Sequence, residues 1–138
     1  MAAFVVDASA TLPWCFADEA TATTNALLTP LQTGDEALVP AHWPAEVANA
    51  LLIAVRHGRI SSRDADQFLE DLDVLAIRID TATQKLIRLH ILPIAEKHSL
   101  TIYDAAYLEL AMRRAVPLAT LDDDLRKAAR ISAVLLEL

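Results

Sequence analysis

Apolar positions in this chain fall into two kinds of run. Short apolar stretches occur at 3–7 (AFVVD), 37–40 (ALVP), 75–79 (LAIRI), 117–121 (PLATL) and at the C-terminal AVLLEL. They are too brief for helices and, for the most part, rich in β-branched or alternating apolar residues, which predicts strands. Pro117 opens its run, where a missing donor is tolerated. Between these stretches apolar residues recur at helical spacing. Ser9 to Phe16 predicts a short helix. A second begins at Asp18, with Ala22, Ala26 and Leu27 on one face, and stops near Pro30 and Gly34. Trp43 to His57 carries Val47, Leu51 and Val55 four residues apart, with Pro44 in its first turn and Gly58 past its end. Ser61-Ser62 caps a helix with Ala65, Phe68, Leu69 and Leu72 as its stripe. Thr81 to His98 is helical but interrupted by Pro93. Thr101 to Ala115 and Asp122 to Arg130 complete the set.

The resulting order, β-α-α-β-α-α-β-α-α-β-α-β, implies right-handed crossovers and a mainly parallel sheet with helices on both faces. No repeat, low-complexity segment or linker interrupts it, so residues 1–138 read as a single domain.

Composition narrows the choices. At 138 residues and 54% hydrophobic, the chain can bury a real core. Two glycines argue against Gly-rich phosphate loops. No apolar stretch approaches a membrane span. The N-terminus lacks the basic start and cleavage site of a signal peptide, so a cytoplasmic location is expected. The single cysteine, Cys15, excludes an internal disulfide and a cysteine zinc site. Net charge is −7, and all twelve Lys and Arg lie from Arg56 onward. That acidity runs against nucleic-acid binding, unless bound cations neutralise part of it and the later basic residues form a local rim.

The acids hold the candidate chemistry. In an open parallel sheet, ligands sit beyond the carboxyl ends of the strands. Asp7 follows the first strand, Glu46 lies in the first turn after the second, and Asp122 follows the fourth. Asp104 lies in the first turn of the helix leading into that fourth strand. Each acid alone suits a helix N-terminus through the macrodipole and free N–H groups, and Thr101 with Asp104 has capping-box spacing. Together they would crowd like charges at one edge, which favours a cation there. Carboxylates without a His or Cys cluster suit Mg²⁺ or Mn²⁺, and so metal-assisted phosphoryl chemistry. His42, His57, His90 and His98 lack the spacing of a metal cluster and read as structural.

The blocks FVVDASA (4–10), PAEVANALL (44–52), LTIYDAAYLELAMRRAVPLATLDDDLRKAAR (100–130) and the terminal AVLLEL resemble the PIN-domain family, and within it the VapC-type ribonuclease toxins of prokaryotic toxin–antitoxin pairs. The resemblance spans essentially the whole chain in order, and YDAAYL at 103–108 is its most specific part. It implies a three-layer α/β/α fold, Mg²⁺- or Mn²⁺-dependent endoribonuclease activity using a metal-activated water, a homodimer, and a cognate VapB-type antitoxin. It places the four acids on Asp7, Glu46, Asp104 and Asp122. Asp7, Asp104 and Asp122 would be metal ligands, with Glu46 and Asp124 as further candidates, directly or through water. It also assigns supporting polar positions to Ser9, Asn49 and Thr120.

Candidate RNA contacts are Arg56, Arg59, Arg113, Arg114, Arg126 and Lys127, each of which also fits a solvated helix face. Trp14 and Trp43 suit base stacking but fit a core or interface better. Three rivals remain. A receiver-type phosphoacceptor domain would use Asp80, but no lysine follows the last strand. An Asp-nucleophile phosphatase needs a second acid at position 9, which is Ser. A non-catalytic binding module would use the acids structurally.

Overall fold

The computed structural model describes residues 3–138. Its sheet consists of β1 (Ala3–Val6), β2 (Glu36–Val39), β3 (Ile77–Ile79) and β4 (Leu118–Ala119) in the order β3-β2-β1-β4, with each neighbouring pair parallel. Val5 is in register with Leu38 on one side and Leu118 on the other. Phe4, Val5 and Val6 are fully buried with no inside–outside alternation, as expected of a central strand covered on both faces. β3 is an edge strand, and its Arg78 and Ile79 are exposed.

The chain between β1 and β2 forms α1 (Ala8–Thr11), a 3₁₀ turn (Leu12–Trp14), α2 (Ala22–Asn25) and α3 (Leu28–Gln32). The single helix predicted from Asp18 is therefore two short ones. Thr21 and Thr24 form a reciprocal capping box that starts α2 four residues later than predicted from the apolar pattern alone. Thr24, Leu27 and Leu31 face the core, whereas Ala22 and Ala26 are exposed. Pro30 lies inside α3 rather than beyond it.

After β2, α4 (Trp43–Arg56) and α5 (Ser62–Asp73) follow the predicted boundaries, with Ser61 capping α5. The helix predicted over 81–98 becomes α6 (Thr83–Leu86), a π-turn (Ile87–Ile91) and α7 (Leu92–His98). Pro93 has no N–H for the carbonyl four residues back, and the widened turn lies directly before it.

Next, α8 (Ile102–Arg114) buries every residue from Ala105 to Ala111, so the sheet and its neighbours cover it nearly all round. The run includes Glu109, whose carboxylate receives Arg113 Nε at 2.9 Å, and Arg113 also reaches Asp80 at 2.7 Å. Finally α9 (Asp123–Ile131) precedes the C-terminal run. That run does not form the predicted fifth strand. It adds one parallel bridge, Leu118↔Leu135, flanked by Leu118 N–H to Val134 C=O and Leu136 N–H to Leu118 C=O. The two residues of β4 offer it too short a ladder for more.

Leu108 is fully buried in α8. Leu108→Ala is expected to destabilise the fold by about 2–5 kcal/mol, read as a lower urea midpoint at unchanged slope.

Candidate metal centre

Asp7 leaves β1 and caps α1. Its Oδ1 accepts the Ala10 N–H at 3.0 Å and the Ser9 hydroxyl at 2.7 Å. Its Oδ2 accepts the Thr120 hydroxyl at 2.5 Å. Thr120 leaves β4 and is fully buried; its Oγ1 also accepts the Asp122 N–H at 3.1 Å. Ser9 Oγ likewise accepts the Leu121 N–H at 2.9 Å. Two hydroxyls thus join the ends of β1 and β4 while aiming their protons at one carboxylate. Thr11 Oγ1 donates to the Asp7 carbonyl at 2.7 Å and accepts Trp43 Nε1 at 3.2 Å, which links the start of α4 to the same corner.

Glu46 lies in the first turn of α4. Its Oε1 accepts the Tyr107 hydroxyl at 2.6 Å and stands 3.2 Å from His42 Nε2. Asp104 lies in the first turn of α8, where the Thr101 side chain caps the Asp104 N–H at 3.1 Å. Only half of the predicted capping box forms: the Asp104 carboxylate has no hydrogen-bond or ion-pair partner among the described residues. Asp122 is the N-cap of α9 and takes the Leu125 N–H at 2.9 Å.

Burial drives the electrostatics. Asp7 is 4% exposed, and desolvation lifts its pKa from the usual 3.8 to about 6, against hydrogen bonds from Thr120, Ser9 and Ala10 that favour the charged form. Asp104 is raised first by burial, then by the negative charges of Asp122 and Glu46, with Asp124 adding to them and His42 opposing. Glu46 behaves oppositely. Burial opposes its charge, but hydrogen bonds with His42 and Tyr107 outweigh that and hold its carboxyl below the usual value. The Tyr107 phenol is pushed up by burial and by Glu46.

The charge of Asp104 therefore acts on Asp7 and feels those of Glu46 and Asp122, although connectivity alone had placed only the other three at one edge. The supporting residues divide. Ser9 and Thr120 bond directly to Asp7, whereas Asn49 is exposed on α4. Asp124 is exposed, and its charge reaches Asp104. Among the candidate RNA contacts, Arg126 donates to the Thr120 carbonyl at 3.1 Å, beside the acids, and faces Glu137 at 3.5 Å. Arg113 is committed to Glu109 and Asp80, and Arg59 to Asp18 and Glu19. Arg56 and Arg114 lie in or beside the last turns of α4 and α8, about 15 Å of helix from Glu46 and Asp104. Trp14 and Trp43 spend their indole N–H groups on Thr24 and Thr11. Asp80, the receiver-type alternative, is held by Arg113 and Thr83 at the edge strand. His42, read as structural from sequence, touches Glu46. Its four-residue spacing from Glu46 across a helix start is the signal that would have found it, as is the three-residue spacing of Tyr107 from Asp104.

The donor set fits a hard divalent cation. It is all oxygen, and Asp104 is an unpaired carboxylate opposed by like charges. Among the described residues, no three His, Cys, Asp or Glu side chains form a ready-made ligand cluster.

A family model of the PIN domain matches residues 4–131. The crystal structure of PAE2754 from Pyrobaculum aerophilum is similar in fold, with a TM-score of 0.68 and 24% sequence identity over 91% of this chain and 78% of that one. No curated protein matches the chain.

With a native pKa near 6 and an unfolded value near 3.8, Asp7 stabilises the fold fully below about pH 3.8, and that contribution is lost as pH rises through about 6. In metal-free protein, Asp7→Asn is expected to gain stability near pH 7, on the order of 3 kcal/mol. The difference from the wild type should vanish toward pH 4. Urea unfolding of both proteins across that range measures it.

Proposed function

The chain belongs to the PIN-domain family, whose members are generally metal-dependent nucleases, and on that premise we propose that it is an endoribonuclease, the toxin of a VapBC-type toxin–antitoxin pair. The observation that carries the nuclease reading is the unpaired Asp104 carboxylate. It faces the charges of Glu46 and Asp122 and adds to the raised pKa of Asp7. Such a group costs stability in an apo fold and is useful where a cation has to be bound.

The chain's own residues have separable tasks. Ser9, Thr120 and the Ala10 amide fix both oxygens of Asp7, so its carboxylate cannot swing. Tyr107 and His42 both hold one oxygen of Glu46, Oε1. Asp104 and Asp122 complete the set, with Asp124 at its edge. Asp7, Asp104 and Asp122 are the residues that would hold Mg²⁺, or Mn²⁺ in its place, with Glu46 acting directly or through water. A divalent ion there supplies Lewis acidity toward a phosphodiester and lowers the pKa of water. Without it, the acids repel the RNA backbone. Arg126, anchored at the Thr120 carbonyl, is the best placed of the basic candidates to meet a phosphate.

The toxin role rests on the blocks at 44–52 and 100–130, which resemble VapC-type proteins. With it come a VapB-type antitoxin, a homodimer and a cytoplasmic setting, and a single nuclease unit over residues 1–138. No helix among the described residues is long and apolar enough to cross a membrane.

Purified protein is expected to cleave RNA in Mg²⁺, to lose that activity in EDTA and to regain it with Mn²⁺. Asp104→Asn should abolish cleavage and still fold; cleavage at the wild-type rate would remove Asp104 from the site. Mg²⁺ at a hundredfold over its Kd should stabilise the wild type by about 2.7 kcal/mol. That shift, on the order of 10 °C in Tm, should shrink in Asp104→Asn when both are followed by thermal unfolding.

A further inference from the structure

Tyr103, immediately before Asp104, is 61% exposed. Its ring is braced edge-to-face by His42, with centroids 5.4 Å apart. His42 Nε2 lies 3.1 Å from the Tyr103 carbonyl and 3.2 Å from Glu46. Its other flank meets Tyr107 at 5.2 Å. The aromatic pair is therefore held in place from below while much of Tyr103 stays open to solvent. Beside it opens a hollow of about 230 Å³ whose walls include Ile87, Ile91, Ile102 and Gln84. Ile87 and Ile91 begin and end the π-turn ahead of Pro93. Such turns often occur at functional sites.

This hollow is a poor site for phosphate. No Lys or Arg lines it, and its walls are largely apolar. It is suited to a flat heterocycle, with a fixed ring to stack on, aliphatic walls, and an exposed amide at Gln84 able to donate and accept at a base edge. It adjoins the candidate metal centre through two residues, since Asp104 follows Tyr103 and Glu46 contacts His42. The geometry points to a nucleobase pocket: Tyr103, supported by His42, stacks a base of single-stranded RNA next to the phosphate held at the carboxylates, with Gln84 at the base edge. The inference rests on the nuclease reading for the identity of its ligand and extends it to substrate selection.

The test separates the two. A fluorescently labelled single-stranded RNA octamer of mixed sequence and the same backbone without bases are titrated with the full chain in Mg²⁺, and anisotropy is recorded before cleavage proceeds. The base-containing strand should bind about tenfold more tightly or better. Tyr103→Ala should erase that preference, and Tyr103→Phe, which keeps the ring, should rescue it. Ile87→Asp charges the far wall at a position already 40% exposed, and it should erase the preference with the fold intact. Equal binding of the two strands by the wild type, or a preference that survives Tyr103→Ala, would overturn the pocket whether or not the protein cuts RNA. A preference lost in Tyr103→Ala from a protein that never cleaves would keep the pocket and sink the nuclease. If Ile87→Asp alters only the oligomeric state and leaves the preference untouched, the hollow belongs to a second copy of the chain and the pocket is overturned.

Discussion

Parallel pairing of β1 with β4 forces two residues 113 positions apart in sequence to leave the sheet side by side. Asp7 and Thr120 are those residues, and their hydrogen bond closes the corner on which the other features depend. The strands on either side are buried, so the corner is dry, and a dry corner strengthens each polar contact within it. Ser9 then bonds to Leu121, and Thr120 to Asp122, which fixes where α9 starts. Thr11 extends the same set of bonds to Trp43 and so to the first turn of α4. Once these are in place, Glu46, Asp104 and Asp122 have little freedom to avoid one another.

The corner also shows how capping and site-building share residues. Asp7 and Asp122 do cap helices, as their sequence positions allow. A cap explains one oxygen's worth of each carboxylate. It does not explain why Asp7 carries two hydroxyl donors as well, or why Asp104 sits near four other acids with only His42 to offset them. Glu109 provides a contrast within the same helix. It is buried more deeply than Asp104 and is compensated by Arg113, which in turn pairs with Asp80. Within α8, then, the buried acid has a cation beside it, whereas the half-buried Asp104 has no ion-pair partner among the described residues and stands near other acids.

The strands and long helices were legible because their signals are local: brief apolar runs, the i, i+4 stripe of α4, the Ser61 cap of α5. Asp7, Glu46 and Asp122 were legible as neighbours because parallel connectivity alone puts strand ends together, whereas Asp104 lies in a helix that follows another helix and is not placed by connectivity. Other features depended on partners distant in sequence. The Glu109–Arg113–Asp80 set spans 33 positions, and it removes Arg113 from the nucleic-acid candidates. The C-terminal run has strand-like residues, but β4 is too short to pair with more than one of them. Only the four-residue spacing of His42 from Glu46 is local; the rest of its role depends on the tyrosines that α8 brings to it. The late start of α2 was local but misread, because the Thr21–Thr24 hydroxyl bonds prevailed over the apolar spacing.

Net charge imposes a last condition on the proposed chemistry. A chain at −7 gains little from counterion release, and several of its guanidinium groups are already engaged: Arg59 by Asp18 and Glu19, Arg113 by Glu109 and Asp80, Arg126 by Glu137. Phosphate attraction must then come mainly from a bound cation rather than from the protein surface. A cation at the acids recognises any phosphodiester equally, so it provides no selection among sequences. Selection requires contacts that read something other than charge. The braced Tyr103–His42 pair beside Asp104 would accept any unstacked base, because every base has a π-face, and so would favour single strands, while a base-edge contact such as Gln84 is what would tell one base from another. On this view the acidity that argues against a nucleic-acid enzyme is consistent with one that engages RNA through a metal and a base.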